Sequence, residues 1–194
     1  MKYISLFEQF EEGHKFDLLD IYLMDIEKAK QIFFLEIDKS NPDIENIKVF
    51  LDSGFVDVNA NGYSGNTLLH WAAHWNSLEA AELFISYGAK IDSTANDGST
   101  PLHFAAFRNS LEVAKLLISN NSELNAKDNN DRTPLHDASR RNRLEVAKLL
   151  IQSGADVNAK TNEGETPLDL AQSEEMHDLF VEYGGVNTKY DNTR

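Results

Sequence analysis

Residues 133–160 read TPLHDASRRNRLEVAKLLIQSGADVNAK, and both halves of this stretch recur along the chain. The opening motif returns at a constant spacing of 33 residues, as TLLH, TPLH and TPLD at residues 67–70, 100–103 and 166–169. The second half, LEVAKLLI, has counterparts in LEAAELFI at 78–85 and LEVAKLLI at 111–118. Repetition at one fixed spacing predicts an array of similar structural units.

Each unit predicts two short antiparallel helices followed by a turn-rich loop. The Thr caps a helix by accepting a backbone N–H, and the Pro beside it occupies the first helical position, where its missing donor costs nothing. Small residues such as Ala105 and Ala106 let one inner helix lie close to the next, and the Leu-rich second half has the apolar spacing of an outer helix. Gly154 favours the left-handed conformation that ends a helix. Because two short helices bury little surface alone, the units must stack side by side.

On these motifs the sequence resembles the ankyrin-repeat family, whose TPLH helix start and GADVNA exit occur at 133–136 and 154–159. The resemblance covers roughly residues 31–188. It implies an all-α solenoid of antiparallel helix pairs joined by hairpin-like β-turn loops and capped by an N-terminal helix. It also implies a non-catalytic protein–protein interaction module that binds a protein partner on its concave face, as a scaffold or a regulator.

The repeat register predicts seven segments. They are an N-terminal helical cap (1–30), a degenerate first repeat (31–60), three repeats (61–94, 95–127 and 128–160), a C-terminal capping repeat (161–188) and a tail (189–194). The last repeat has an interhelix turn that is three residues shorter than in the others. The cap has helical apolar spacing without the repeat motif, so a separate helix that binds a partner or is recognised during secretion remains the alternative.

Composition narrows the class of partner. The chain holds 18 Lys and Arg against 32 Asp and Glu, a formal net charge of -14, which disfavours nucleic acid and anionic membranes. It has no cysteine, so disulfides, a thiolate nucleophile and a cysteine zinc site are excluded. Neither a signal peptide nor a membrane-spanning segment is predicted. We therefore expect a cytoplasmic monomer, and secretion by a route without such a signal stays open.

The histidines of the opening motif form a regular series that invites a metal-site hypothesis. Neighbouring helices pack about 10 Å apart, whereas zinc needs every ligand within about 2.1 Å, so these rings cannot share an ion. The family resemblance implies instead that each His bonds backbone in its own and the adjacent unit. The residues with this structural role are Thr67, His70, Thr100, His103, Thr133, His136 and Thr166.

No sequence feature points to catalysis. The chain lacks a Gly-rich phosphate loop, a Gly-x-Ser-x-Gly elbow and a His-Glu-x-x-His motif. No catalytic residue, metal or cofactor is predicted, and an enzyme remains only a remote alternative. An effector that is delivered into another cell and acts on host proteins is a nearer alternative to the scaffold or regulator, because such proteins need no Sec signal.

The family resemblance places partner contacts at the loop tips and at exposed positions of the inner helices. The candidate partner-binding residues are Tyr63, Asn66, His74, Trp75, Asp97, Ser99, Phe107, Arg108, Asn130, Arg132, Arg140, Arg141 and Glu165. Aromatic residues and Arg dominate interface energies, and Trp75 is expected to be exposed whereas Trp71 is expected in the core. Five of the six Arg lie within residues 108–143 of an otherwise acidic chain.

This concentration of Arg predicts a partner segment with an apolar anchor and an acidic stretch, since guanidinium groups hold carboxylates in bidentate fashion. The alternative is that Arg140 and Arg141 pair within the chain with Asp137, Glu174 or Glu175. Such surface ion pairs contribute about 0 to 1 kcal/mol and require no partner to explain them.

Overall fold

The computed structural model describes residues 43–54 and 56–188, without the side chain of Tyr63. The predicted N-terminal cap (1–30), the start of the predicted first repeat and the predicted tail (189–194) lie outside these residues.

Helices make up the regular structure of the described residues, and no strand occurs among them. The α-helices are α1 Ile44–Asp52, α2 Leu68–Trp75, α3 Leu78–Ser86, α4 Pro101–Arg108, α5 Leu111–Ser119, α6 Pro134–Arg140, α7 Leu144–Gln152 and α8 Glu174–Glu182. Two short 3-10 helices cover Tyr63–Gly65 and Pro167–Leu170. The predicted all-α fold is confirmed.

The helices form two rows. The inner row runs through α2, α4, α6 and the 3-10 helix Pro167–Leu170, each in contact with the next. The outer row runs through α1, α3, α5, α7 and α8, and each inner element packs on the outer helix that follows it. Corresponding positions of successive repeats therefore become spatial neighbours, which confirms the predicted solenoid.

The core lies between the two rows. The inner row contributes the fully buried Leu69, Leu102 and Leu135, and the outer row contributes Phe84 and Leu117, which are also fully buried. Complete burial of a side chain of this size contributes roughly 1.5 to 3 kcal/mol. Alanines at the second turn of the inner helices are equally buried and leave room for close approach of successive helices.

The turns between paired helices rely on asparagine. Asn76, Asn109 and Asn142 have φ of 53°, 63° and 55°, in the left-handed region. Asn tolerates this region better than most residues, so it takes the place of the glycine expected at such a turn. All three asparagines therefore supply the left-handed residue of the turn between paired helices.

The loops between units are tied to each other at their tips. The backbone N–H of Asn96 donates to the carbonyl of Ser64 at 3.0 Å, that of Asn129 to Asp97 at 2.9 Å, and that of Asn162 to Asn130 at 3.0 Å. Gly98 has φ of 81°, and a Cβ there would lie 2.8 Å from the nitrogen of Asn129. Only glycine allows the two loops to approach this closely.

The last unit departs from the others in its inner helix. Its Thr166 start is followed by a 3-10 helix of four residues instead of an α-helix. Ser173 is the N-cap of α8, where its Oγ accepts the N–H of Met176 at 3.2 Å, and Glu174 is the first residue of that helix. Ser173 and Glu174 align with Arg140 and Arg141 of the preceding unit, but they do not lie on an inner helix, because the three missing residues leave no room for a second helical turn before this cap.

Candidate partner-binding surface

A cavity of about 250 Å³ opens on the face formed by the inner helices and the loops before them. Three inner helices and two loop tips contribute to its wall. The lining residues are His74 from α2, His103, Phe104 and Phe107 from α4, Asp137 and Arg140 from α6, and Asp97, Ser99, Asp128 and Arg132 from the loops.

The repeat motif fixes the orientation of His103 in the cavity wall. The backbone N–H of Thr100 donates to His103 Nδ1 at 3.1 Å, and His103 Nε2 lies 3.0 Å from the carbonyl oxygen of Arg132. Since Nδ1 accepts, Nε2 carries the proton and donates to the next unit. Burial lowers the pKa of His103, so its ring is neutral and serves the stack.

The same arrangement holds in the units on either side. His70 Nε2 lies 3.0 Å from the carbonyl oxygen of Ser99, and His136 Nε2 lies 3.1 Å from that of Glu165. In each unit the backbone N–H of the preceding Thr donates to Nδ1 at 3.0 Å. The histidines therefore form a ladder in which every ring links its own helix start to the following loop.

Aromatic rings form one side of the cavity. The ring of Phe104 meets His70 edge-on at 5.1 Å between centroids, and it lies 6.2 Å from the ring of His74. The ring of His74 in turn meets Trp75 edge-on at 4.7 Å. These contacts hold Phe104 in place while leaving it only partly buried.

Carboxylates form the other side. Asp128 Oδ1 accepts the backbone N–H groups of Asn130 and Arg132 at 2.8 and 2.9 Å, and Asp97 Oδ1 accepts that of Ser99 at 3.0 Å. Asp137 lies deeper and is 7% exposed. Burial raises the pKa of Asp137 to about 6, with Arg140 opposing the shift and Asp128 adding to it.

Two arginines flank Phe107 at the edge of the cavity. The guanidinium of Arg141 lies 4.0 Å from the centre of the Phe107 ring, and that of Arg108 lies at 6.0 Å. Arg108 also contacts the imidazole of His74, and Arg143 Nε donates to the carbonyl of Phe107 at 3.2 Å. Among the described residues no carboxylate pairs with Arg108 or Arg141, so both cations face solvent beside an aromatic ring.

The cavity brings together several of the candidates predicted from sequence. They are His74, Asp97, Ser99, Phe107, Arg132 and Arg140. Arg108 and Arg141 adjoin it through Phe107, whereas Asn130 is exposed and Glu165 is half-buried outside the lining set. Arg140 Nη2 lies 3.8 Å from Asp137 Oδ1, which is one of the pairings that the sequence left open.

Three candidates differ from their predicted exposure. Asn66 and Ser99 are 9% and 7% exposed, because each stands directly before a motif Thr and uses its carbonyl to close the loop. Trp75 is half-buried rather than exposed, and its Nε1 is buried with no hydrogen-bond partner among the described residues. The side chain of Tyr63 lies outside the description.

Sequence reasoning did not include Phe104, Asp128 and Asp137 among the binding candidates. A sequence signal for Asp137 was present. The residue after the fourth motif position is Trp71, Phe104 or Leu170 in the other units, so Asp137 replaces an apolar side chain. Asp128 carried no such signal, because Asp in a turn is common for local reasons.

No group of three or more His, Cys, Asp or Glu in residues 43–54 and 56–188 is arranged to hold a metal ion. No helix within those ranges combines the length and apolar character needed to cross a membrane.

Comparisons with known proteins agree with the architecture. A family model described as ankyrin repeats in three copies matches residues 11–95, 91–161 and 128–192. The palmitoyltransferase ZDHHC13 of Mus musculus is 38% identical over 82 residues, which is 38% of this chain and 13% of that protein. The chain thus spans a small part of the length of this relative. Ankyrin repeats are generally non-catalytic and indicate a protein–protein interaction module, and the chain belongs to the ankyrin-repeat family.

Proposed function

We propose that this chain binds a protein partner on its concave face, through the inner helices and loop tips around Phe107, and acts as a scaffold or a regulator. The observation that carries the proposal is the placement of the half-buried Phe107 between Arg108 and Arg141 at the edge of the cavity. Aromatic side chains and Arg are the residues that contribute most binding energy in interfaces.

The same cluster supports an acidic stretch and an apolar anchor in the partner. Arg108 and Arg141 have no carboxylate partner among the described residues, and stacking on Phe107 holds the nearer guanidinium in one place. A preorganised guanidinium loses less entropy when it binds a carboxylate. The apolar anchor fits against the aromatic wall formed by Phe104 and Phe107.

The test is the effect of two substitutions on affinity for a partner captured by the whole chain from the lysate of its own organism. Phe107→Ala and Arg141→Ala are each expected to weaken that complex about tenfold or more, as interface hot spots do. Their matched controls are Tyr183→Ala, a 43% exposed aromatic on the last unit, and Lys148→Ala, an exposed cation on α7. Both controls are expected to leave affinity unchanged.

Unchanged affinity in Phe107→Ala and Arg141→Ala, with folding intact by circular dichroism, would overturn the assigned surface. Capture of a stoichiometric partner only from a foreign host lysate would favour the effector alternative over a regulator of the organism's own proteins. The expected acidic stretch adds a second readout: affinity should fall as ionic strength rises, and less steeply in Arg141→Ala.

A further inference from the structure

The Asp137 carboxyl is the group in the cavity that the stacking of repeats does not use. Its side chain is 10% exposed, and the nearest cation, Arg140 Nη2, lies 3.8 Å away, which is too far for a hydrogen bond. Among the described residues, no donor lies within hydrogen-bond distance of its carboxylate. A buried carboxylate without donors is costly, and the pKa of about 6 reflects that cost.

Packing alone does not require a carboxyl at this position. The equivalent residue is Trp71 in α2, Phe104 in α4 and Leu170 in the last unit, and all three are partly buried apolar side chains. An apolar side chain would fill the cavity from α6 as Phe104 does from α4. The chain instead leaves a fixed acceptor in an open space of about 250 Å³.

The charges that line the cavity leave an excess of one negative charge. Asp97 and Asp128 come from the two loops and Asp137 from α6, while Arg132 and Arg140 supply two positive charges. His103 is buried and neutral, and His74 lies at the α2 side in contact with Arg108. The least exposed of the charged groups is the Asp137 carboxylate, whereas the Arg140 side chain is 38% exposed, although its Nε is buried without a hydrogen-bond partner among the described residues.

The aromatic wall of the cavity also favours a positively charged ligand. Phe104 and Phe107 line the cavity, and the face of an aromatic ring attracts cations. The Arg141 guanidinium, 4.0 Å from the Phe107 ring centre, already shows this interaction within the chain. Because the described acids do not form a metal-ligand group, an organic cation fits the cavity better than a metal ion.

We infer that the cavity receives a basic side chain, lysine or arginine, from the partner segment, with its cationic head against Asp137. The methylene stem of that side chain, lying along Phe104 and Phe107, is then the apolar anchor of the proposed function. The inference rests on the proposed function for the statement that the ligand belongs to a protein. It adds that the partner segment carries both signs of charge: acidic residues beside Arg108 and Arg141, and one basic residue that enters the cavity.

Small organic ions test this without the partner. The full-length chain is titrated with n-butylammonium, n-butylguanidinium or butyrate at constant ionic strength, and backbone amide shifts of Ser99, Arg132 and Asp137 are followed by NMR. One or both cations are expected to give saturable shifts at these residues, and the comparison of the two distinguishes lysine from arginine. Butyrate is expected to give none.

Two substitutions at Asp137 probe the recognising group. Asp137→Asn keeps the shape of the side chain but removes its charge, and it is expected to weaken cation binding at least about fivefold. Asp137→Phe restores the aromatic residue that α4 has at the equivalent position and should abolish binding by filling the cavity. The matched control is Asp178→Asn, the same change on the exposed surface of α8, which should bind the cation as the unmodified chain does.

Cation binding should also weaken as the pH falls through about 6, where Asp137 becomes protonated. Saturable binding of butyrate, or undiminished cation binding in both Asp137 variants, would overturn the inference. So would the absence of any saturable shift with either cation. The probes need no partner, so the two ideas can fail separately. If no cation binds but partner affinity still depends on Phe107, the proposed function stands and the inference fails. If the cations bind at Asp137 but partner affinity does not depend on Phe107 or Arg141, the cavity binds cations and the assigned partner surface is wrong.

Discussion

The third residue of the inner helix is a histidine in the three interior units and an aspartate in the last. His70, His103 and His136 each present a protonated Nε2 to a carbonyl of the following unit, at 3.0 to 3.1 Å. Asp169, in the same position, accepts the backbone N–H of Thr166 at 2.8 Å and the N–H and hydroxyl of Thr188 at 2.8 and 2.6 Å.

The difference follows from what lies beyond each unit. An interior unit is followed by a loop whose carbonyl accepts a second hydrogen bond besides one from its own loop, and a neutral imidazole both accepts from its own helix start and donates forward. Asp169 is followed instead by Thr188, whose N–H and hydroxyl are both donors to it. An ionised carboxylate suits this place because it only accepts hydrogen bonds. The choice between His and Asp at this position therefore matches the hydrogen-bonding groups of the segment packed against it.

The largest expected loss of stability comes from giving an interior unit the aspartate that the last unit has. His103→Asp removes the donor to Arg132 and buries a carboxylate beside a carbonyl oxygen, so we expect a loss of about 3 to 5 kcal/mol in the free energy of unfolding. Urea unfolding at pH 7 measures it. His177→Asp, the same change at a half-exposed site on α8, should alter stability by less than about 0.5 kcal/mol. A loss of similar size in both variants would contradict the forward-donor explanation.

The ladder also predicts a sensitivity to acid. Burial lowers the pKa of His70 to about 4, below its ordinary value of 6.5, and burial lowers the pKa of His103 and His136 in the same direction. A lowered pKa means that the folded chain binds a proton less readily than the unfolded chain does. The contribution of the neutral histidines to the free energy of unfolding is therefore complete above pH 6.5 and is lost as the pH falls toward 4. For His70 alone the loss is about 3 kcal/mol.

The measurement is the free energy of unfolding between pH 7.5 and 4, compared with His70→Gln, which cannot titrate. The decline over this window should be smaller in the variant. An identical decline in both proteins would show that other groups cause the acid sensitivity.

Asp169 and Asp137 show how the surrounding hydrogen-bond donors decide whether a carboxylate is stable in its charged form. Asp169 is surrounded by donors: burial acts to raise its pKa, but hydrogen bonds from Thr188 and Thr166 outweigh burial and hold the pKa below its usual value. Asp137 has no such donors among the described residues, and burial raises its pKa to about 6. The same side chain thus stabilises the last unit and costs stability in the interior.

The Asp137 cost can be removed by substitution. Because its folded pKa is raised above the unfolded value of 3.8, the cost is full above pH 6 and disappears as the pH falls toward 4. Asp137→Asn should therefore stabilise the chain by about 2 kcal/mol at pH 8 and by little at pH 4, as measured by urea unfolding. A gain that is the same at both pH values would show that the charge of Asp137 is not its cause.

The sequence predicted most of the fold because the residues that stack the repeats obey local rules. Thr at the helix start and Asn76 at positive φ are each determined by their own backbone position. The helix pairs followed from spacing, and the resemblance to ankyrin repeats implied the bonds of the histidine ladder. The 3-10 helix of the last unit was missed, because a deletion of three residues can be absorbed by a turn or by a helix, and only the packed structure decides between them.

The site was less predictable because its chemistry depends on neighbours from three repeats. Arg140 and Arg141 are adjacent in sequence, yet one lies near Asp137 and the other stacks on Phe107 of the preceding unit. Ser99 and Arg132 occupy equivalent positions, but Ser99 is buried whereas Arg132 is half-buried in the wall of the cavity. The charge pairing and exposure of such residues depend on side chains from neighbouring repeats, which the sequence of one repeat does not reveal.

The smallest expected effect concerns the closure at the end of the described chain. Asp169→Asn keeps one acceptor oxygen but turns an amide donor toward groups that are themselves donors, and the change should cost about 1 kcal/mol of unfolding free energy at pH 7. Thr188→Val removes the hydroxyl that donates to Asp169 Oδ2 and should cost about as much. If Asp169 acts through Thr188, the double variant will lose clearly less than the two single losses added together. Full additivity would mean that the Asp169 carboxylate stabilises only its own helix start at Thr166. The bond from Thr188 would then not explain why the last unit has Asp where the interior units have His.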